Sequence, residues 1–385
     1  MRILLFAPFA FPDSCADAVR VMTFAKLLQE AGYETEILGV TASEAKVDGT
    51  ALGIKYKMMR SLPYYGIRAY KRINALKKGL SKYLANNSYD LILLSHIYYD
   101  YADVFLRYSK KTGAMLVVNA VEWYEKDNVQ FQGFRGKINL IKNRIALRYV
   151  HPKMKNVIAI STLLDKHYKD RGCNTVTIPT IVDMTEYSSV ASLKVKNNEK
   201  LVIAYAGSPA RKDYILNAIY ALPLLSREER EKIELHFYGT ETKTLYGLGL
   251  SEEFLEKHSA NVFCHGRIPY EDVKQKIASA DFTVLLRPNK RYANAGFPTK
   301  VGESMACGTP VIANITSDLG KYIIDGETGI VCANETPEAC AEGFKRALAM
   351  STEEKNKMCK SAYEMARVAF NYESYVDEMR EFLNK

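Results

Sequence analysis

Residues 294–312 read NAGFPTKVGESMACGTPVI, and their order of parts decides the fold class. Pro298 can open a helix because its missing N–H would be unpaired in the first turn, and Gly308 can close one because it tolerates positive φ. That leaves roughly two to three helical turns. Thr309 and Pro310 then turn the chain into the apolar strand 310–313. Loop, short helix, tight turn and buried strand are the grammar of an α/β protein. A helix that follows a glycine-containing loop offers unpaired N–H groups and a positive dipole end, a ready site for phosphate. Lys300 adds a full positive charge there, the wrong sign for the macrodipole, so a ligand is the better reason for it. Glu303, a turn further on, can accept two hydroxyl hydrogen bonds from a ribose or sugar. The plain alternative is a surface Lys300–Glu303 pair. Against it stand Gly302, Ser304, Ala306 and Gly308, whose small size suits close backbone approach better than a solvated face.

The same alternation runs outward in both directions. RILLFAPF opens the chain as a buried strand, Val21, Phe24, Ala25, Leu28 and Ala31 share one helical face, and Gly32 caps that helix before the strand YETEILGV. DLILLSH (90–96), AMLVVNAVEW (114–123) and NVIAIS (156–161) follow, with helical stretches between them, as in a parallel sheet with right-handed crossovers. The pattern dissolves over 177–200, a candidate linker. It resumes with LVIAYAG (201–207), IELHFYG (233–239), NVFCHG (261–266), FTVLLR (282–287) and 310–313. Two Rossmann-like domains are therefore expected. The first covers 1–184, with the terminal amphipathic stretch 369–385 packed back on it, and the second covers 185–368. A chain of 385 residues exceeds what one core usually supports.

Several function classes are disfavoured. The first strand–helix loop, AFPDSCADAVR, matches neither G-x-G-x-x-G nor the P-loop, which argues against a dinucleotide oxidoreductase. Seven scattered cysteines with no C-x-x-C pair indicate a reduced, cytoplasmic setting. No run approaches the roughly 18–20 apolar residues that span a bilayer. Net charge is +9, concentrated in the acid-free segments 66–87 and 135–155, where apolar residues such as Ile138, Ile141, Ile145 and Tyr149 also fall at helical spacing. Such helices either lie on an anionic membrane surface or pack one stripe into a core with their lysines in water. Nucleic acid is not expected as a partner, because no docking module or aromatic-interleaved motif is present.

In an open α/β sheet, ligands bind beyond the carboxyl ends of the strands. There the second half places 207–212 (GSPARK), Gly239-Thr240, 266–269 (GRIP), Arg287 and the 294–303 segment. Each brings a cation, a glycine or both, which makes a backbone-rich cationic crevice suited to a diphosphate. This succession, G-S-P-A-R-K-D, F-Y-G, H-G-R-I-P, S-A-D-F-T-V-L-L-R, G-F-P-T-K-V-G-E-S-M-A-C-G-T-P-V-I and D-G-E-T-G-I-V, resembles the nucleotide-sugar-binding half of the retaining GT-B glycosyltransferases of group 1 (family 4).

The resemblance implies an α/β GT-B fold with two Rossmann-like domains facing across a cleft, and transfer of a hexose from a nucleoside diphosphate sugar with retained configuration. The implied acceptor is a glycan or lipid-linked sugar of bacterial surface polysaccharide, which puts the enzyme in the cytoplasm, peripheral on the inner leaflet. Glu303 would hold the ribose hydroxyls, and Lys212 with Arg211 would neutralise the diphosphate. Gly207, Ser208, Gly239 and Arg287 would border the donor; Phe297, Thr299 and Lys300 would line its diphosphate and sugar, and Arg267 and Ile268 would flank the base. Glu122 stands near the sugar as a catalytic group, with Asp17, Arg20 and His96 on the acceptor side. No D-x-D pair occurs, so neither metal nor cofactor is expected.

Three departures stand out: Ala295 replaces the first glutamate usual eight positions before Glu303, Ser208 replaces an arginine that Arg211 would substitute, and the first loop lacks its glycine pair. A degenerate binding protein and a nucleotide-sugar epimerase using Glu122 remain as alternatives.

Overall fold

The computed structural model describes residues 1–12, 16–41, 48–60, 69–97, 99–125, 133–191, 199–209 and 212–384. The chain forms two compact units, Met1–Ile181 with Tyr372–Lys385, and Val182–Asn371.

Among the described residues, the first unit carries eight strands: β1 (Arg2–Phe6), β2 (Glu34–Thr41), β3 (Asp48–Ala51), β4 (Ile54–Arg60), β5 (Leu91–Ser95), β6 (Met115–Ala120), β7 (Asn156–Ala159) and β8 (Asn174–Thr177). Their order is β3-β4-β2-β1-β5-β6-β7-β8. β1 is central and pairs in parallel on both sides, with Leu4 opposite Glu36 and Ile92, which is why RILLF reads as an unbroken apolar run. The antiparallel β3–β4 hairpin escaped the sequence reading. Its two-residue turn uses Leu52 (φ 53) and Gly53 (φ 76), both left-handed as such hairpins require, but Leu-Gly is not a strong turn signal.

Helix Ala16–Glu30 sinks Val21, Phe24, Ala25 and Leu28 into a core with Ile3 and Leu5. It ends where Gly32 turns left-handed at φ 91. The C-terminal helix Val376–Leu383 adds Met379, Phe382 and Leu383 to the same core. Its Arg380 donates to the carbonyls of Glu30 and Ala31 at 3.0 and 3.1 Å, closing orphan acceptors at the end of the first helix. Helix Ala69–Ala85 buries Leu76, Leu80 and Leu84 and leaves Lys71, Lys78 and Lys82 exposed. That is the ordinary core-packed arrangement of a basic amphipathic helix. Among the described residues, no helix is long and apolar enough to cross a membrane.

The second unit is a six-stranded, all-parallel sheet of β9 (Leu201–Ala206), β10 (Ile233–Tyr238), β11 (Val262–Gly266), β12 (Phe282–Leu285), β13 (Val311–Asn314) and β14 (Gly329–Cys332), ordered β11-β10-β9-β12-β13-β14. The chain builds outward from β9 to β11, then returns to the other side of β9 with β12. The carboxyl ends of β9 and β12 therefore form the topological switch point where such sheets bind ligands.

Much of 177–200, read as a polar linker, is ordered. Asp183 caps the short helix Met184–Ser188 by accepting from the Thr185 N–H at 2.9 Å, and a five-residue helix leaves no periodicity to read. Residues 192–198 lie outside the described set. The Val182 N–H donates to Phe370 O at 2.8 Å, so the two ends of this unit are bonded to each other.

Candidate active site

Three glycines at successive strand ends shape the crevice of the second unit. Gly207 (φ 122) follows β9, Gly239 (φ 80) follows β10, and Gly266 (φ 63) ends β11. The Gly207 N–H donates to Tyr238 O at 2.8 Å, that of Gly239 to Gly266 O at 2.6 Å, and that of Gly266 to Thr240 O at 3.1 Å. Thr240 Oγ1 closes the network on Gly207 O at 3.0 Å. A Cβ on Gly239 would approach the Gly207 backbone to 3.2 Å, and one on Gly207 would meet Lys300 Cε at 2.8 Å. The missing side chains thus let two loops close on each other and leave room for the lysine.

Lys300 occupies that room. Its Nζ lies 3.1 Å from Asp213 Oδ2 and 5.2 Å from the centre of the Tyr205 ring. Tyr205 donates its hydroxyl to the same Asp213 oxygen at 2.8 Å, and Arg287 Nε stands 3.5 Å from Oδ1. Asp213 and Arg287 are only 9 % and 5 % exposed. Two cations converge on one carboxylate, so the cluster keeps a net positive charge at the end of β9 and β12, where an anion would be bound. Asn314 fixes Arg287 from the neighbouring strand, its Oδ1 accepting from the Arg287 N–H at 2.9 Å and its Nδ2 donating to Arg287 O at 2.8 Å.

Glu303 sits on helix Thr299–Ala306, which follows Pro298 and closes with Gly308 at φ 70. Ser304 anchors the helix from inside: its Oγ is 2.6 Å from Thr283 Oγ1 and donates to Thr309 O at 2.7 Å. The surface-pair alternative fails on geometry, because the Lys300 ammonium is engaged with Asp213. Glu303 and Lys300 instead line a small cavity with Tyr205, Ala206, Thr283 and Val284. Burial raises the pKa of Glu303, while Lys300 and Lys274 pull the other way. A half-buried carboxylate whose charged form is disfavoured by burial is a candidate functional group.

The remaining expected donor residues divide. Lys212 is half-buried immediately before Asp213, Ser208 and Arg267 are exposed, Thr299 is half-buried, and Arg211 lies outside the described residues. Ile268 packs on Ala204, Tyr238 and Ala280. The Phe297 ring packs at 5.4 Å from Tyr322 and 5.8 Å from Phe370, which makes it part of an aromatic core rather than a free wall of the crevice. Ala295, at the position of the family's usual first glutamate, is fully buried. Asp213, Tyr205 and Asn314 were missed. Only the K-D pair at 212–213 hinted at the first, and no local pattern marks the other two.

In the first unit, His96 Nε2 and Asp17 Oδ1 meet at 3.2 Å, and His96 takes the left-handed φ of 50 at the end of β5. Glu122, just after β6, shares a small cavity with His96, Asn119, Tyr124, Asn143 and His151. Arg20 does not join this acceptor-side group. Its buried guanidinium donates to Pro179 O at 2.8 Å and Ile178 O at 3.3 Å, and burial pulls its pKa down to about 10. The side chain is committed to the backbone, a role that no sequence pattern signals. His151 was not anticipated either. Its Nε2–H donates to Ile97 O at 3.1 Å, its Nδ1 accepts from Tyr168 at 2.8 Å, and burial lowers its pKa to about 4, so the ring is neutral at pH 7.

Residues 192–365 match the family model of glycosyl transferases group 1. That stretch of the second unit is a group 1 glycosyltransferase domain. An uncharacterised glycosyltransferase of Methanocaldococcus jannaschii is 21 % identical over 267 residues, a match that spans 66 % of this chain and 64 % of that protein. The phosphatidyl-myo-inositol mannosyltransferase of Mycolicibacterium smegmatis is 23 % identical over 356 residues, 90 % of this chain and 84 % of the relative. Anabaena HepE, solved in complex with UDP-glucose, superposes with a TM-score of 0.68 at 16 % identity, covering 100 % of this chain and 99 % of that one. The glycosyltransferase domain thus belongs to a chain of GT-B fold, with two Rossmann-like sheets as expected.

Proposed function

We propose that the chain transfers a hexose from a nucleoside diphosphate sugar to a glycan or lipid-linked acceptor of a bacterial surface polysaccharide, with retained anomeric configuration and without a metal. The observation that carries this reading is the Lys300–Asp213–Arg287 cluster, set among three strand-end glycines with Glu303 one turn along the helix. As the bond between the anomeric carbon and the diphosphate breaks, negative charge grows on the leaving oxygen. Lys300, Lys212 and the N–H groups at the start of helix Thr299–Ala306 stabilise that charge, an electrostatic contribution that is usually the largest in such reactions. Glu303 accepts hydrogen bonds from the ribose hydroxyls. The acceptor hydroxyl oxygen forms the new bond to the anomeric carbon, and its proton passes to the diphosphate oxygen that departs.

Uracil is the donor base favoured, by likeness to a protein solved with UDP-glucose. The lipid-linked acceptor draws on the mannosyltransferase relative, whose name is that of an enzyme for phosphatidyl-myo-inositol. A thermal-shift series over UDP, GDP and ADP sugars tests the donor, since a ligand at about a hundred times its Kd stabilises by roughly 2.7 kcal/mol. Indifference to every nucleoside diphosphate sugar would overturn the reading. The anomeric coupling in the NMR spectrum of the product decides between retention and inversion.

A further inference from the structure

The second acid-free segment behaves unlike the first. Helix Gly133–Ile145 continues through a π turn, Ala146–Val150, into the 3₁₀ turn His151–Met154. It buries Leu140, Ala146, Leu147 and His151, yet Ile138, Ile141 and Tyr149 are 39 %, 57 % and 64 % exposed. At about 100° per residue, Ile138, Ile141, Ile145 and Tyr149 fall on one narrow arc facing away from the buried side. Three of the large hydrophobic residues that the described chain exposes are therefore aligned on one helix. Their basic neighbours flank that arc. Lys137 and Arg148 are exposed and Arg144 is half-buried, on one side of the stripe, and none of them forms an ion pair with a described residue. Lys142, on the other side, is held by Asp100 at 2.6 Å. No aspartate or glutamate occurs between Asp127 and Asp165.

We propose that this helix is the membrane-contacting face of the first unit. Ile138, Ile141, Ile145 and Tyr149 enter the boundary between headgroups and acyl chains of an anionic bilayer, and Lys137, Arg144 and Arg148 meet the headgroup phosphates. The charge selects this occupant over a second copy of the chain. Pairing the stripe with its own like would crowd Lys137, Arg144 and Arg148 against a second set of cations, whereas an anionic lipid surface neutralises them. Placement also fits. The inner face of the same helix, through Asn143, Ala146, Leu147 and His151, lines the cavity that holds His96 and Glu122, so lipid contact lies across one helix from the acceptor-side residues. The proposal deepens the lipid-linked acceptor reading, but vesicle binding needs neither donor nor acceptor, so each can fail alone.

The test is flotation of the full chain with phosphatidylcholine vesicles and with vesicles that also contain phosphatidylglycerol, at low and high salt. Binding should require the anionic lipid and fall as salt rises. One basic residue near such a surface changes partition about fivefold, so the combined Lys137→Ser, Arg144→Ser, Arg148→Ser variant should lose on the order of a hundredfold. Ile141→Ser with Tyr149→Ser should weaken binding to both low- and high-salt samples. All five positions are at least partly exposed, and unchanged circular dichroism checks the fold. A control variant, Lys71→Ser, Lys78→Ser, Lys82→Ser on the other basic helix, should lose only a few-fold. Equal binding to neutral vesicles overturns the proposal. So does a larger loss in the control than in the test variant, or a dimer in sedimentation that Ile141→Ser dissolves.

Discussion

Replacing Asp213 by alanine should unseat the cation cluster of the glycosyltransferase domain. The larger part of the cost comes from Arg287, because that pair is almost wholly out of water, with side chains 6 % and 9 % exposed. Removing one partner from a buried ion pair typically costs about 3–5 kcal/mol, since the remaining charge is left uncompensated. Lys300 is 29 % exposed, so solvent screens its loss and it adds little. Tyr205 would also lose its acceptor, which by itself costs about 1–3 kcal/mol and overlaps with the first figure. Asp213→Asn keeps one acceptor oxygen and should therefore fall short of the alanine loss by roughly the hydroxyl contribution. Amide hydrogen exchange in β9 and β12 reads the effect within this unit. A loss of about 3–5 kcal/mol is a fall in protection on the order of a hundred- to several-thousand-fold. Inorganic pyrophosphate should restore more protection to the alanine variant than it adds to the wild type, because it supplies the missing negative charge. Protection within a factor of about five of wild type, or no extra recovery with pyrophosphate, would refute the reasoning.

Glu303→Gln should weaken the donor while making the protein more stable above neutral pH. The folded-state pKa of Glu303 is raised by burial, so its favourable contribution is present in acid and lost as pH rises through that raised value. The thermal midpoints of variant and wild type should converge below the ordinary carboxylate range and separate above it, and a constant gap would contradict this. Lys212→Ala should lower kcat by about 10²–10³ while affinity for the free nucleoside stays nearly unchanged, as steady-state kinetics and calorimetry can check; equal losses for nucleoside and nucleoside diphosphate would count against its role. Transfer should continue undiminished in EDTA, and activity that vanishes and returns with Mn²⁺ would sink the metal-independent reading.

What the amino-acid order settled by itself was local and periodic. Unbroken apolar runs such as RILLF and the helical face of Val21, Phe24, Ala25 and Leu28 announce a parallel α/β sheet, because a strand covered on both faces and a helix packed on one have different repeats. Glycines after successive strands and the segment around Glu303 marked the candidate crevice for the same reason: they are short motifs that obey backbone rules. Which partner each charge would choose was not legible. Lys300 lies three residues from Glu303 yet its ammonium pairs with Asp213, and Arg20, expected on the acceptor side, directs its two Nη groups to the carbonyls of Pro179 and Ile178. The two basic segments look alike in composition, but one buries Leu76, Leu80 and Leu84 while the other turns Ile138, Ile141 and Tyr149 outward. An amphipathic pattern specifies that a stripe exists, and only the packing of the rest of the chain determines whether anything covers it.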